Sequence, residues 1–370
     1  MDDQVIGVLG KTGRPAGGRP SPQQLPFKLT HSLCTSSSPL SPTGGGQLGR
    51  MLLQAASPLS IPIIVLDPEV TAPAKQVSSP ALLPISASSA LSHLDGPFTS
   101  EAHIRQLAQQ VDILTIEIEH VDVAALETVA NEFATRGGRS GKGVKVFPAP
   151  SVIRIIQDKY AQKAYLAARG ILVAPFLPIT ASATSTIGDD ARLVLKDSIL
   201  DAGTKFGYPL MLKSRHLAYD GKGNFVLKSP EGVQAALEAL IPTASLATGK
   251  PIADRLYAEK FAPFVKEVAV MVVRGAKGET RTYPAVETIH RESVCHIVYA
   301  PLRPPSGPAA GVGREQKGFG IIAGKDVNER AREDAEKAID ALGEGAIGVF
   351  GVEMFLMGDG AFPPVLDSRC

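Results

Sequence analysis

The apolar positions of the chain fall into short runs divided by glycine, proline and charged residues, and two periods alternate. Val5, Ile6, Val8 and Leu9 form a compact run ending at Gly10, the pattern of a buried strand that opens an α/β domain. A second run, Ile63 to Leu66, ends in Asp67. Ahead of it, Gly44-x-Gly46-x-x-Gly49 leads into a helical pattern. The alternation then predicts a helix over 100–111, a strand over Val111–Ile118 and a helix over Val123–Thr135. A Gly-rich basic link precedes a strand at 144–148. Residues 1–150 therefore read as one parallel, Rossmann-like α/β domain. Beyond it the pattern predicts a helix around Ile153–Ala168 and strands near Pro209–Lys213 and Asn224–Leu227. A third set of strands follows at Arg255–Lys260, Val268–Val273 and Thr280–Val286. A helix over Asn328–Leu342, with Asp326 near its start and Gly343 at its end, precedes a last strand, Gly348–Leu356.

One segment breaks the pattern. Lys11–Thr43 holds six prolines, six serines and no acidic residue. Such a stretch buries too little apolar surface to offset its ordering entropy. Removing residues 11–44 restores a strand, glycine turn, helix and strand, whose helix N-terminus can receive an anion. The segment reads as an insertion that splits one motif, either translated non-coding sequence or a surface loop.

Composition narrows the class. The 370 residues are 44% apolar and 20% charged, with a net charge of +1. Wholesale disorder and collagen-like or long coiled-coil architectures are excluded. So is a strongly basic nucleic-acid binder. No window approaches the roughly 18 apolar residues of a membrane span. The acidic N-terminus lacks the positive region of a signal peptide. Cys34, Cys295 and Cys370 are too far apart for a metal or redox motif. The expectation is a cytoplasmic protein in a reducing compartment.

Four stretches carry candidate chemistry. Lys213 ends an apolar strand, and a polar loop with Gly221, Lys222 and Gly223 leads into the next. Backbone N–H groups of such a turn suit phosphate oxygens, although Asp-Gly is also a common hairpin turn. Glu259 ends one strand and Glu267 begins another; Glu267 is either a solvated strand end or a carboxylate for ribose hydroxyls. Glu353 interrupts an apolar strand, sharing a face with Val349, Gly351 and Phe355. A carboxylate buried there needs a partner or a cation such as magnesium. His290 and His296 do not have metal-site spacing.

Together these pieces resemble one family of the ATP-grasp superfamily. It is the ATP-dependent phosphoribosylaminoimidazole carboxylases, or N5-carboxyaminoimidazole ribonucleotide synthetases, in their fungal form. The match is carried by VIGVLG with GGQLGRM, IIVLDPE, PAKQV, HLDGPFT and TIEIEHVD, followed by QDKYAQKAYLAARGILVAPF, LAYDGKGNFVL, YAEKF, FVKEVAVMVVRG, YPAVETIHR and GVFGVEMF. These motifs occur in order over nearly the whole chain outside 11–44. The resemblance implies a two-subdomain ATP-grasp fold, residues 151–230 and 231–370, after the N-terminal domain. It implies Mg-ATP in a cleft, with Lys159 and Lys213 on its phosphates or base. The loop Leu217, Ala218, Tyr219, Asp220, Gly221, Lys222 and Gly223 would cover the phosphates, and Lys213, Lys222 and Glu353 would carry the chemistry. Glu259, Lys260, Phe261 and Ala262 would line the adenine, and Glu267 would bind ribose with His290 close by. Glu353 would hold Mg²⁺. Gly46, Gln47 and Leu48 would seat 5-aminoimidazole ribonucleotide. The implied reaction makes carboxyphosphate from ATP and bicarbonate, then carboxylates the amine of the ribotide. A homodimer and a fused carboxylase (mutase) domain are implied partners.

Two departures stand out. The segment after Gly10 splits the substrate-seating turn. After Gly360 the family continues with an Asn-Glu pair and a basic, His-containing run, where this chain reads AFPPVLDSRC. The expectation is therefore an impaired ligase. A non-catalytic ATP-binding remnant is the alternative. Another purine-pathway ATP-grasp ligase fits the TIEIEHVD and YDGKGN wording poorly. An NAD-dependent dehydrogenase would use Gly44-x-Gly46-x-x-Gly49 with Asp67 on the ribose, but the strand that should precede the glycines is displaced by the insertion.

Overall fold

The computed structural model describes residues 6–9, 45–77, 93–181, 191–216, 223–242, 254–291, 294–303, 321–322 and 325–358. The segment 11–44, loop positions Leu217 to Lys222, Cys34, Cys370 and the C-terminal residues from 359 lie outside the described residues. The chain divides into two compact units, Met1–Val146 and Phe147–Cys370.

In the first unit, β1 (Ile6–Leu9) pairs in parallel with β2 (Ile63–Asp67), from Ile6↔Ile63 to Leu9↔Leu66. On its other side it pairs in parallel with β4 (Ile113–Ile116). With β3 (Leu94–Asp95) and β5 (Lys145–Phe147) the order is β3-β2-β1-β4-β5. Every residue of β2 is buried, as a central parallel strand requires. The helices α1 (Gln47–Ala56), α2 (Glu101–Ala108) and α3 (Val123–Glu132) bury one face each, for example Gly49, Leu53 and Ala56 in α1. The elements flanking residues 11–44 thus form one strand–helix–strand unit, as the pattern requires.

The second unit holds two sheets. In the first, β6 (Phe176–Ile179), β9 (Leu256–Lys260), β7 (Leu210–Ser214) and β8 (Asn224–Leu227) pair antiparallel in that order. The helices α6 (Lys196–Phe206) and α7 (Val233–Leu240) cover one face, where Ile199, Leu210, Leu212, Leu237 and Leu256 make the core. Sheet pairing places residues 256–260 with this sheet and not with the strands that follow.

The second sheet is built on β10 (Phe264–Arg274). It pairs along one edge with β11 (Thr280–Thr282) and β12 (Val286–Arg291), and along the other with the last strand, Gly348–Met357. β13 (Val294–Tyr299) extends β12, and β14 (Ile321–Ile322) pairs with β15 (Lys325–Asp326). The last strand is β16. The helix α8 (Val327–Asp340) packs on the face that carries Val268, Val270, Val272, Phe350 and Val352. The expected strand 280–286 is two strands, β11 and β12, because they pair with different stretches of β10.

The helix expected over 153–168 is also two, α4 (Pro150–Gln157) and α5 (Lys159–Ala167). Asp158 breaks it, with an extended backbone at φ −103°, ψ 101°. Its Oδ1 accepts the N–H groups of Tyr160 and Ala161, both at 3.0 Å, so it caps α5. Arg215 donates to both Asp158 oxygens and sits over the Tyr160 ring. Among the described residues no helix is long and apolar enough to cross a membrane.

Candidate functional site

The helix α5 lies over the face of the first sheet opposite its core. Tyr160 makes an edge-to-face contact with Phe176 at 5.4 Å between ring centres, and a tilted one with Tyr257 at 6.3 Å. Under this cover lies a cluster of charges. On β9, Leu256 and Ala258 face the core, so Tyr257 and Glu259 face α5. Glu259 pairs with Met211 across the strands, which puts Lys213 two residues along on the same face. Lys213 Nζ lies 2.9 Å from Glu259 Oε2. From the helix, Lys163 Nζ lies 2.8 Å from Oε1, a close charge contact and not an aligned hydrogen bond. Lys159, one turn earlier on α5, is also buried.

Glu259 is 3% exposed. Burial pushes its carboxyl up, but the Lys163 and Lys213 ammoniums outweigh that and bring it down to about 2. Burial pushes the Lys163 ammonium down, against the pull of Glu259. Among the described residues, Lys163 and Lys213 bring two ammoniums to the one carboxylate of Glu259. That surplus favours an anionic ligand, since buried like charges repel strongly at low dielectric.

From Glu259 the chain crosses to the second sheet through Lys260, Phe261 and Ala262; Lys260 and Phe261 are exposed. Val268 and Val270 face the core of that sheet, so Glu267 and Ala269 face away from it. Glu267 Oε2 bonds His290 Nδ1 on the neighbouring strand β12. Both side chains are about a quarter exposed. On the other side of β10, Glu353 stands opposite Ala269. Glu353 is half-buried, on the face away from Phe350, Val352 and Met354. Alternation puts it on the open face, half-buried next to the small side chain of Ala269 and not in the core. Glu267, His290 and Glu353 share that face.

Lys159, Lys213 and Glu259 thus come together, as do Glu267, His290 and Glu353. Leu217, Ala218, Tyr219, Asp220, Gly221 and Lys222 lie outside the described residues. Gly223 closes the β7–β8 hairpin at φ 89°, a conformation that favours glycine, and its carbonyl accepts the N–H of Ser214 at 2.7 Å. In the other unit, Gly46 caps α1, and Gln47 and Leu48 are exposed on its first turn. Among the described residues no group of three or more His, Cys, Asp or Glu is placed to hold a metal ion.

Sequence reasoning missed Lys163 and the Asp158–Arg215 pair. The spacing of Lys159 and Lys163 puts both on one helix face, and that was a readable signal. The structure also removes the dinucleotide reading of Asp67. Its carboxylate is fully buried, accepting the N–H of Gly45 at 3.1 Å and of Glu69 at 2.8 Å. A Cβ on Gly45 would lie 2.5 Å from it. Asp67 ties down the glycine turn and does not reach outward to a ribose.

The sequence matches the ribonucleotide synthetase preATP-grasp domain over residues 42–157 and the ATP-grasp domain over 190–312. The fold matches the carboxyaminoimidazole ribonucleotide synthase of Aspergillus clavatus complexed with ATP. The TM-score is 0.66 at 34% identity, over 98% of this chain and 69% of that one. The chain belongs to the N5-carboxyaminoimidazole ribonucleotide synthetase family of ATP-grasp proteins. A second structure of the Aspergillus clavatus family member, with ADP and 5-aminoimidazole ribonucleotide, has a TM-score of 0.66 at 33% identity, over 100% of this chain and 70% of that one. The phosphoribosylaminoimidazole carboxylase of Candida albicans is 42% identical over 315 residues, covering 85% of this chain and 44% of the relative. That of Candida glabrata is 39% identical over 316 residues, again 85% of this chain and 44% of the relative. The chain thus spans under half the length of these curated relatives.

Proposed function

We propose that this ATP-grasp chain carries out the ATP- and bicarbonate-dependent carboxylation of 5-aminoimidazole ribonucleotide in purine biosynthesis. The observation that carries the reading is the buried carboxylate of Glu259 between the ammoniums of Lys163 and Lys213, with Lys159 buried one turn earlier on α5. The ATP and ribotide complexes of the Aspergillus clavatus relatives support it.

Phosphoryl transfer needs positioning and charge neutralisation more than covalent groups. Lys159 and Lys213 bind the phosphate chain and neutralise it. Glu259 to Ala262 line the adenine at the crossover between sheets. Glu267, held by His290, accepts from the ribose hydroxyls. Bicarbonate oxygen attacks the γ-phosphorus and ADP leaves, forming carboxyphosphate. Phosphate then departs with release of carbon dioxide, which the ribotide amine captures with loss of a proton. The loop from Leu217 to Gly223 excludes water from the acyl phosphate. Gly46, Gln47 and Leu48 seat the ribotide.

Mg²⁺ is bound in such sites by one or two carboxylates together with substrate phosphates. Glu353, half-buried on the open face of β16, suits an ion carried in with the nucleotide phosphates. Glu353 would hold it, and the ion would supply charge neutralisation on the phosphates.

The test is ADP release with bicarbonate and magnesium, with and without the ribotide. Ribotide-dependent ADP release that Lys213→Met abolishes is expected. Tight ATP binding with no ADP release under any condition would overturn the ligase reading and favour a nucleotide-binding remnant.

A further inference from the structure

Glu259 has two ammonium partners, and they are not equivalent. The Lys163 side chain is 2% exposed and the Lys213 side chain 13%. Lys163 comes from α5, and the same helix anchors Leu166 in the core of the second sheet. Lys213 stands near the end of β7, opposite Asn224 and next to the turn that Gly223 closes. One partner belongs to the interior and the other to the rim. Each takes its own carboxylate oxygen.

A buried carboxylate that loses its only counter-ion becomes an unpaired charge, which is strongly unfavourable. Were Lys213 the single partner, its ammonium could not move to a phosphate without stranding Glu259. With Lys163 in place, Glu259 stays compensated wherever Lys213 points. Lys163 itself is too deep to follow a ligand.

We infer that Lys163 is a positioning residue, the fixed counter-ion of Glu259, and that it frees Lys213 to transfer its ammonium from Glu259 to the phosphates of a bound nucleotide. The inference rests on the nucleotide reading of this cluster. Lys163 acts only through Glu259 and Lys213 and touches no phosphate.

The experiment compares the affinities of ADP and adenosine for the full chain by titration calorimetry, with circular dichroism reporting the fold. Contacts to base and ribose are common to both ligands and cancel in the ratio. In Lys163→Met, Lys213 is held by Glu259, and the preference for ADP falls by about tenfold or more, the loss expected for one charge-assisted hydrogen bond. In the double variant Lys163→Met/Glu259→Gln the carboxylate no longer holds Lys213, and the preference returns. An unchanged ratio in Lys163→Met overturns the inference while leaving the nucleotide reading intact. So does a double variant that folds but lacks the preference, because Lys163 would then act on phosphate directly. If Lys163→Met does not fold, Lys163→Gln, which also removes the fixed positive charge beside Glu259, takes its place in the comparison. A parent chain with no preference for ADP over adenosine overturns the nucleotide reading itself.

Discussion

The two sheets of the second unit hold their ionisable groups in opposite ways. In the first, Glu259 is 3% exposed and fixed between Lys163 and Lys213. In the second, Glu267 and His290 are about a quarter exposed, and Glu353 lies half-buried on the same open face. A buried cluster of this kind is already charged and needs only one ammonium to shift, which suits a ligand of constant shape and charge. Half-open carboxylates keep access to water and suit groups that arrive and leave, such as sugar hydroxyls or a hydrated cation. The division of labour follows from which face of each sheet is covered: α5 covers the first, and no described element covers the second in the same way.

The comparison predicts the largest effect at Glu259. Glu259→Gln leaves Lys163 and Lys213 buried without a counter-charge and costs about 3–5 kcal/mol in urea unfolding. The matching Glu267→Gln costs at most about 1 kcal/mol, because its partner keeps access to solvent. Equal costs would break the contrast.

Acid sharpens it next. The Glu259 carboxyl is lowered from 4.5 to about 2 in the fold. Its contribution to stability is complete above pH 4.5 and is lost as pH falls toward about 2. The unfolding midpoint of the parent therefore drops across that window, whereas Glu259→Gln is flatter there. Identical pH profiles for the two proteins would remove Glu259 as the source.

A smaller loss is expected for Arg215→Ala, about 2 kcal/mol, since the part-buried Asp158 loses its two-pronged partner. Circular dichroism should show part of the α5 signal lost with it.

The smallest change in stability, within about 0.5 kcal/mol, belongs to Glu353→Gln. Its effect falls on function: the magnesium concentration for half-maximal ADP release rises by about 10–100-fold or more. A destabilised Glu353→Gln with unchanged magnesium dependence would place Glu353 in the structure and not in the site.

Much of this was legible in the residues. Ile63 to Leu66 announced a strand, and its unbroken apolar run fits a parallel strand covered on both faces. Gly223 and the runs beside it announced the β7–β8 hairpin. Asp158 did not announce a helix break, since the helical pattern continues on both sides of it. Its partner Arg215 lies 57 residues away. The place of Leu256–Lys260 in the first sheet was hidden for the same reason, because strand pairing is decided by distant segments. Alternation put Glu353 on the face of Phe355, but it could not say which face of that strand would be covered. Lys163 was within reach of helical spacing once Lys159 had been chosen; what it pairs with was not.

Asp158 has one more consequence. By ending α4 and starting α5 it sets the angular phase of everything downstream on that helix. Each residue of an α-helix is turned by about 100° from the one before. A helix begun one residue earlier or later would swing Lys159 and Lys163 together to its side, away from β9. The cap therefore works as an index mark on a dial: one carboxylate, tied to Arg215, decides where two ammoniums point.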